Sequence, residues 1–134
     1  METTMKILVI DDDPSMTELL ALILRSVSAN VIAANSGIDA IRLAREQKPD
    51  LLILDLMMPD VDGVEVCATV RQFSVVPILI LSALDNPGTI AEALNAGADD
   101  FMVKPVACGM LVARIDQLVR RSHQKAGLIS HVTV

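Results

Sequence analysis

Short apolar runs alternate with longer amphipathic segments along almost the whole chain, and this alternation restricts the fold more than any other feature. Five runs are typical of strands, and a helix-length segment follows each; the runs cover residues 6–10, 30–34, 51–54, 77–81 and 100–103. The runs at 51–54 and 77–81 are apolar at every position, as in strands buried on both faces. The pattern predicts an α/β fold, a five-stranded parallel sheet with helices on both faces and right-handed crossovers.

Capping residues indicate where helices begin. Asp13 before Pro14 is typical of an N-cap followed by a proline in the first turn, and Asn86 precedes Pro87 in the same way. The last apolar stripe predicts a helix over about 108–121. Residues 122–134 show no firm pattern, so we predict one domain over residues 1–121 and a C-terminal tail or truncated linker over residues 122–134.

Composition excludes several classes of function. Hydrophobic residues make up 52% of the 134 residues, enough for one folded core, whereas 1% is aromatic, too little for a base-stacking surface. A net charge of −6 argues against direct binding to nucleic acid or to anionic membranes. Cys67 and Cys108 match no metal or redox spacing, and no signal peptide or membrane-spanning segment is visible, so we expect a cytoplasmic protein.

Polar and charged residues stand where four of the predicted strands end. Asp11 and Asp12 follow the first strand, Asp55 the third, Ser82 the fourth and Lys104 the fifth. Because ligands bind at the carboxyl ends of parallel strands, these side chains are candidates for a single site. Neighbouring carboxylates repel one another and raise each other's pKa, so the acidic cluster predicts a bound cation.

The residue types at this edge favour phosphoryl transfer. Oxygen ligands without His or Cys favour a hard cation that retains water, as Mg²⁺ does. The Lys104 ammonium and the Ser82 hydroxyl would complete a clamp for a phosphoryl group, with Asp55 as the nucleophile. Asp13, although next to the acidic pair, is assigned to capping its helix and not to the site.

The chain is similar to the receiver domain of two-component response regulators over residues 6–121. The resemblance lies in four motifs that occur in order at the predicted strand ends: Val9-Ile-Asp-Asp-Asp-Pro14, Leu54-Asp-Leu-Met-Met-Pro59 with Asp62-Gly63, Leu81-Ser-Ala83, and Gly97-Ala-Asp-Asp-Phe-Met-Val-Lys-Pro105. It implies a doubly wound, flavodoxin-like (βα)5 fold with strand order 2-1-3-4-5. It also implies a signalling domain rather than an enzyme, whose chemistry is its own phosphorylation and dephosphorylation.

The resemblance assigns a role to each acidic residue of the site. Asp55 would accept the phosphoryl group, and it would share Mg²⁺ with Asp12, which binds the ion directly. Asp11 would bind the ion through water. The backbone carbonyl of Met57 would supply a further ligand.

The remaining roles implied by the resemblance concern contact with the phosphoryl group and switching. Lys104 would pair with phosphoryl oxygens, and a cis peptide bond would join it to Pro105. Ser82 would move to bond the phosphoryl group, and Phe101 would swing into the space released. Packing in the core is the alternative role for Phe101.

The implied partners are a sensor histidine kinase or phosphotransfer protein and a downstream output domain or protein. Whether the chain acts alone or belongs to a longer regulator stays open, although residues 112–121 resemble the last receiver helix before a winged-helix domain. Winged-helix regulators of this family form homodimers on phosphorylation through charged residues, and Asp100 and Arg114 are present here. Met110 stands where an acid is usual, and the fourth helix lacks Lys and Arg, so we expect such a dimer to be weak or differently arranged.

Two other classes of protein fit the sequence less well. A Mg²⁺-dependent phosphatase with an aspartate nucleophile usually carries a second Asp two residues later as general acid, and Met57 at that position cannot transfer a proton. A receiver-like module that no longer takes up phosphate would typically lose an acid or the lysine, and this chain keeps them all.

The surroundings of the nucleophile predict a long-lived phosphorylated form. Hydrolysis needs a water in line with the phosphorus–oxygen bond, and the resemblance places Met57 and Leu84 beside that approach. Both are apolar and cannot orient the water, so we expect a Met57→Asn, Leu84→Glu double variant to lose phosphate about ten-fold faster, ~1.4 kcal/mol in barrier. Phosphate release from labelled protein in excess Mg²⁺ measures this, and an equal or slower rate in the double variant would contradict the hypothesis.

Overall fold

A computed structural model describes the backbone of residues 5–26, 29–83 and 85–132, and the side chains within these ranges up to residue 123. The strands found in the described ranges are β1 (Met5–Ile10), β2 (Ala29–Ala34), β3 (Leu51–Leu54), β4 (Ile78–Ser82) and β5 (Asp100–Val103). They form one parallel sheet in the order β2-β1-β3-β4-β5, which confirms the predicted fold class and strand order.

The helices in the same ranges are α1 (Pro14–Arg25), α2 (Gly37–Gln47), α3 (Gly63–Arg71), α4 (Pro87–Asn95) and α5 (Cys108–Val132). Asp13 caps α1 and Asn86 caps α4, as predicted. The predicted end of the last helix near residue 121 is wrong, because α5 continues to Val132; no proline follows Pro105 to stop it. None of the helices in the described ranges has the length and apolar character needed to cross a membrane.

Side-chain alternation along the central strands divides the core into two halves. Leu8 and Ile10 of β1 belong to a cluster with α2, α3 and α4, whereas Ile7 and Val9 belong to a cluster with α1 and α5. The strands β3 and β4 divide in the same way, with the even-numbered residues of 51–54 and 78–81 in the first cluster and the odd-numbered ones in the second. Helices therefore cover both faces of the central sheet and leave its two ends open for loops.

Gly97, in the turn between α4 and β5, has a conformation that favours glycine. Its φ is +120°, and a Cβ atom there would lie 2.5 Å from Cγ of Arg71. Arg71 cannot easily give way, because its guanidinium group donates to the carbonyls of Gly97 (3.0 Å) and Val76 (2.6 Å) and to Asp99 (2.9 Å). This turn thus holds the end of α3 against the beginning of β5.

We expect Gly97→Ala to lower the free energy of unfolding by about 1–3 kcal/mol, because it adds backbone strain and displaces Arg71. Gly109→Ala is the matched control: a Cβ at Gly109 in α5 meets nothing within 4 Å, so the change should be neutral or stabilising by less than about 1 kcal/mol. Urea denaturation of both variants measures the difference. Equal stabilities of the two variants would contradict the role given to Gly97.

Candidate functional site

Backbone hydrogen bonds continue past the strand ends and hold the first residues of the site in register. The Asp11 N–H donates to the carbonyl at the end of β2 (3.1 Å), and the Asp55 N–H donates to Ile10 O (2.9 Å). The Lys104 N–H donates to Ser82 O (2.9 Å). Each polar residue that follows a strand is therefore fixed by the ladder of the neighbouring strand, at the carboxyl edge of the sheet.

Lys104 connects the two buried carboxylates of the site. Its Nζ lies 2.8 Å from Asp11 Oδ2 and 3.1 Å from Asp55 Oδ2. The other oxygen of Asp55, Oδ1, accepts from the Ser82 hydroxyl (2.9 Å) and the Met57 N–H (2.9 Å). Asp11 is 4% exposed, Asp55 9% and Ser82 0%. The structure thus brings together four of the residues chosen from the sequence, one from each of four strand ends.

These contacts set the protonation states of the charged groups. Burial acts to raise the pKa of Asp55, but the three donors around it hold this pKa below its ordinary value. Burial raises the pKa of Asp11 above its ordinary value, although Lys104 and the Asp13 N–H both act to lower it. Burial acts to lower the pKa of Lys104, but its two carboxylate partners raise it. Asp55 is therefore ionised and Lys104 protonated at neutral pH.

The donors available for a cation are oxygens. Asp12 is exposed beside Asp11, and Met57, whose N–H donates to Asp55, is 54% exposed. Among the described residues, no group of three or more His, Cys, Asp or Glu side chains is arranged to hold a metal ion by itself. Mg²⁺ commonly takes one or two carboxylates and keeps several waters, so the donor types present fit Mg²⁺.

A lysine of the chain offsets part of the acidic charge at the site. The Lys104 ammonium lies between Asp11 and Asp55, so one positive charge faces two carboxylates, and the exposed Asp12 adds a third. The charge left over is negative, and the bound cation expected from it stays a prediction that the oxygen donors also support.

The two residues of the predicted switch lie in different surroundings. The Ser82 hydroxyl already contacts Asp55, and Phe101 is half-buried against the core cluster of α2, α3 and α4. The movement predicted for both stays a prediction. The peptide bond between Lys104 and Pro105 is cis, as the resemblance implied, and Leu84 lies outside the described residues.

The charges expected on a dimer face are paired with each other. Arg114 of α5 donates to the carboxylate of Asp100 at the start of β5, within one chain. Met110, on the same helix, is 60% exposed. The structure describes a single chain and does not test a dimer, so the expectation of a weak or differently arranged dimer stays a prediction.

Three further side chains, none of them predicted from the sequence, hold the loops of the site. Asn35 Nδ2 donates to the carbonyl of Asp11 (2.8 Å) and to Oγ1 of the buried Thr17 (3.1 Å). The carboxylate of Asp60 accepts the first two N–H groups of α2 (3.0 and 3.1 Å). Asn and Asp side chains in turns usually form hydrogen bonds with the neighbouring backbone, so these residue types do not indicate partners far away in the chain.

The comparison with known proteins identifies the family. The profile of the response regulator receiver domain matches residues 7–116, and the chain belongs to this family of two-component signalling proteins.

Relatives of known sequence are longer proteins. The chain is 40% identical over 133 residues to the probable transcriptional regulator ycf27 of Guillardia theta, which covers 99% of this chain and 52% of that protein. It is 39% identical over 120 residues to the DNA-binding response regulator MtrA of Mycolicibacterium smegmatis, which covers 90% of this chain and 53% of that protein. The chain thus spans about half the length of these curated relatives.

Solved receiver structures share the fold. The receiver domain of the Francisella response regulator 1452 superposes with a TM-score of 0.83 at 31% identity, covering 89% of this chain and 99% of that one. The BeF3-activated receiver domain of Klebsiella pneumoniae RstA gives a TM-score of 0.82 at 32% identity, covering 86% and 98%.

Replacing Lys104 by Met should raise the pKa of both Asp11 and Asp55, since burial remains and the balancing ammonium is lost. In the parent, the pKa of Asp55 is lower in the folded state than in the unfolded state, which stabilises the fold at pH values above the ordinary carboxyl pKa of 3.8. This stabilisation is lost as the pH falls through the folded-state pKa. In the variant, raised pKa values contribute stability at low pH that is lost as the pH rises. We therefore expect the variant to lose stability relative to the parent between acidic and neutral pH.

Carbon-13 NMR titration of the carboxyl groups in Mg²⁺-free buffer measures the pKa values, and denaturation across the same pH range measures stability. Lys6→Met is the control, because Lys6 Nζ contacts the Gln47 carbonyl and neither carboxylate of the site. Carboxyl pKa values that stay unchanged in Lys104→Met would contradict the role given to this ammonium.

Proposed function

We propose that this receiver domain takes up a phosphoryl group on Asp55 from the phosphohistidine of a sensor histidine kinase or phosphotransfer protein. The observation that supports this most is the surroundings of Asp55, a buried and ionised carboxylate at the end of a central strand. An ammonium and a hydroxyl contact its two oxygens at 3.1 and 2.9 Å. This combination provides a nucleophile together with the donors that stabilise a transferring phosphoryl group.

In the proposed step, one carboxylate oxygen of Asp55 attacks phosphorus. The new P–O bond forms as the P–N bond of the donor histidine breaks, and the bonding electron pair stays with the imidazole nitrogen. Lys104 keeps Asp11 as one partner and offers its remaining donors to the phosphoryl oxygens. Ser82 rotates its hydroxyl from Asp55 to a phosphoryl oxygen, and Phe101 follows into the vacated space.

The site would also hold Mg²⁺, through Asp11, Asp12, Asp55 and the carbonyl of Met57. When bound, Mg²⁺ neutralises charge on the phosphoryl oxygens during transfer. The chain contributes orientation: the Asp13 N–H donates to Asp11 Oδ1 (3.0 Å), and the Met57 N–H fixes the carboxylate of Asp55. Both bonds are made within a loop, so each carboxylate is held by its own backbone.

We further propose that the signal is passed on by contact with an output domain or protein, and that this domain itself does not touch nucleic acid. The net charge of −6 supports the second point. Two relatives are named as transcriptional or DNA-binding regulators, and this chain matches about half of each. Regulation of transcription through further residues is therefore the form of output that the relatives favour.

We expect acetyl phosphate with Mg²⁺ to add one phosphoryl group to the protein at Asp55, and Asp55→Asn to abolish the addition. Intact mass spectrometry followed by peptide mapping measures it. Asp39→Asn makes the same chemical change on the surface of α2, where the carboxylate contacts Arg42, and should be labelled like the parent. Labelling of Asp55→Asn, or labelling that persists in EDTA, would contradict the proposal.

A further inference from the structure

The turn between β2 and α2 contacts both loops that carry the proposed metal ligands, although it contributes no ligand of its own. We propose that this turn, residues 35–38, is a positioning element that sets the distance between Asp11 and the loop of Asp55 and Met57. We call it the bridging turn. The inference rests on the proposed function, because it concerns the geometry in which that site binds Mg²⁺.

One side of the bridging turn holds the acidic loop after β1. Asn35 Nδ2 donates to Asp11 O at 2.8 Å and to Thr17 Oγ1 at 3.1 Å, and the Thr17 hydroxyl in turn donates to Pro14 O at 3.0 Å. A carbonyl oxygen can only accept, so the amide NH₂ of Asn35 must face it. These bonds connect the end of β2 with both ends of the loop that contains Asp11 and Asp12.

The other side of the bridging turn holds the loop after β3. Asp60 Oδ1 accepts the Gly37 N–H at 3.0 Å, and Oδ2 accepts the Ile38 N–H at 3.1 Å. These N–H groups lower the pKa of Asp60, so the carboxylate is ionised when it accepts them. A Cβ on Gly37 would lie 2.6 Å from Cβ of Val61, which shows how closely the two segments pack.

The bonding at the start of α2 leaves the bridging turn little freedom to move. Ser36 Oγ accepts the Asp39 N–H at 3.1 Å, and Ser36 O accepts the Ala40 N–H at 3.0 Å. Asp60 accepts two of the four N–H groups that a helix leaves without an internal partner at this end. Like α1 and α3, α2 has an adjacent cap, Ser36, but it also has partners in Asp60, which belongs to a loop more than twenty positions away.

The simpler hypothesis is that Asn35 and Asp60 only stabilise the fold. The two hypotheses differ in the Mg²⁺ affinity that they predict for the folded variants. A stabilising role predicts a lower melting temperature with unchanged Mg²⁺ affinity in the folded protein. A bridging role predicts that loss of either contact weakens Mg²⁺ binding, because both contacts fix the same distance.

The test is a Mg²⁺ titration of the whole chain without a phosphoryl donor, followed by amide NMR shifts. We expect Asn35→Ala and Asp60→Ala each to weaken Mg²⁺ binding roughly ten-fold, as loss of partners that orient metal ligands commonly does. The double variant should be little weaker than either single variant, since each change alone releases the shared geometry. Asp60→Asn keeps one acceptor oxygen and should recover part of the loss.

Asp39→Ala is the matched control, because it removes a carboxylate from the first turn of α2 that contacts neither loop. Its Mg²⁺ affinity should equal that of the parent. Parent-like affinity in Asn35→Ala and Asp60→Ala, with only lower melting temperatures, would overturn the proposal. Fully additive losses would also overturn it, because each contact would then act on its own loop alone.

Amide hydrogen exchange separates failure of this inference from failure of the proposed function. The Asp13 and Met57 N–H groups bond to the site carboxylates, so their exchange reports the position of each loop without any ligand. If the parent neither binds Mg²⁺ nor takes up phosphate, the proposed function is wrong. The exchange rates of these two N–H groups then still test whether the bridging turn positions both loops. Faster exchange at both groups in either single variant supports it, and faster exchange confined to the nearer loop overturns it.

Discussion

The site depends on the Lys104 ammonium lying between two buried carboxylates. Burying Asp11 and Asp55 together is unfavourable unless a positive charge compensates, because desolvation and mutual repulsion both oppose their ionised forms. Lys104 contacts both at 2.8 and 3.1 Å and reaches them from β5, across β4, to the ends of β3 and β1. One long side chain thus connects three strand ends. Lys104 can reach both carboxylates only if each of these strands keeps its position in the sheet.

The packing of the core decides whether these groups meet. Asp11, Asp55 and Lys104 continue the two-residue period of the side chains that face α1 and α5, such as Val9 and Ile53. A shift of one residue in any of these strands would turn the charged group to the opposite face of the sheet. The apolar clusters on the two faces exclude such a shift, because it would also expose buried Leu and Ile side chains. The hydrophobic pattern that defines the fold therefore also defines the site.

This coupling explains which features could be predicted from sequence. The bounds of β3 and β5 agree with the predicted runs. The residues at the strand ends could be chosen as site candidates because the hydrophobic periodicity and the parallel strand direction together determine where they lie. The end of α5 was missed because the chain after Arg121 carries no strong stop signal. Asn35 and Asp60 were missed for another reason: each has a local role in turns, and their distant partners depend on how loops meet in three dimensions.

The contacts around Asp55 come from two sides of the site. The loops after β1 and β3 are tied to each other through the bridging turn, whereas Ser82, Phe101 and Lys104 belong to β4 and β5 or follow them. In the proposed function, a phosphoryl group on Asp55 would replace the single charge of the carboxylate by about two, and the donors of β4 and β5 would have to redistribute to meet them. Lys104 would divide its donors between Asp11 and the phosphoryl oxygens. Under the proposed function, we expect phosphorylation to change the β4–β5 side while the acidic loops keep their geometry, so that the signal leaves the site toward β5 and the helices beside it.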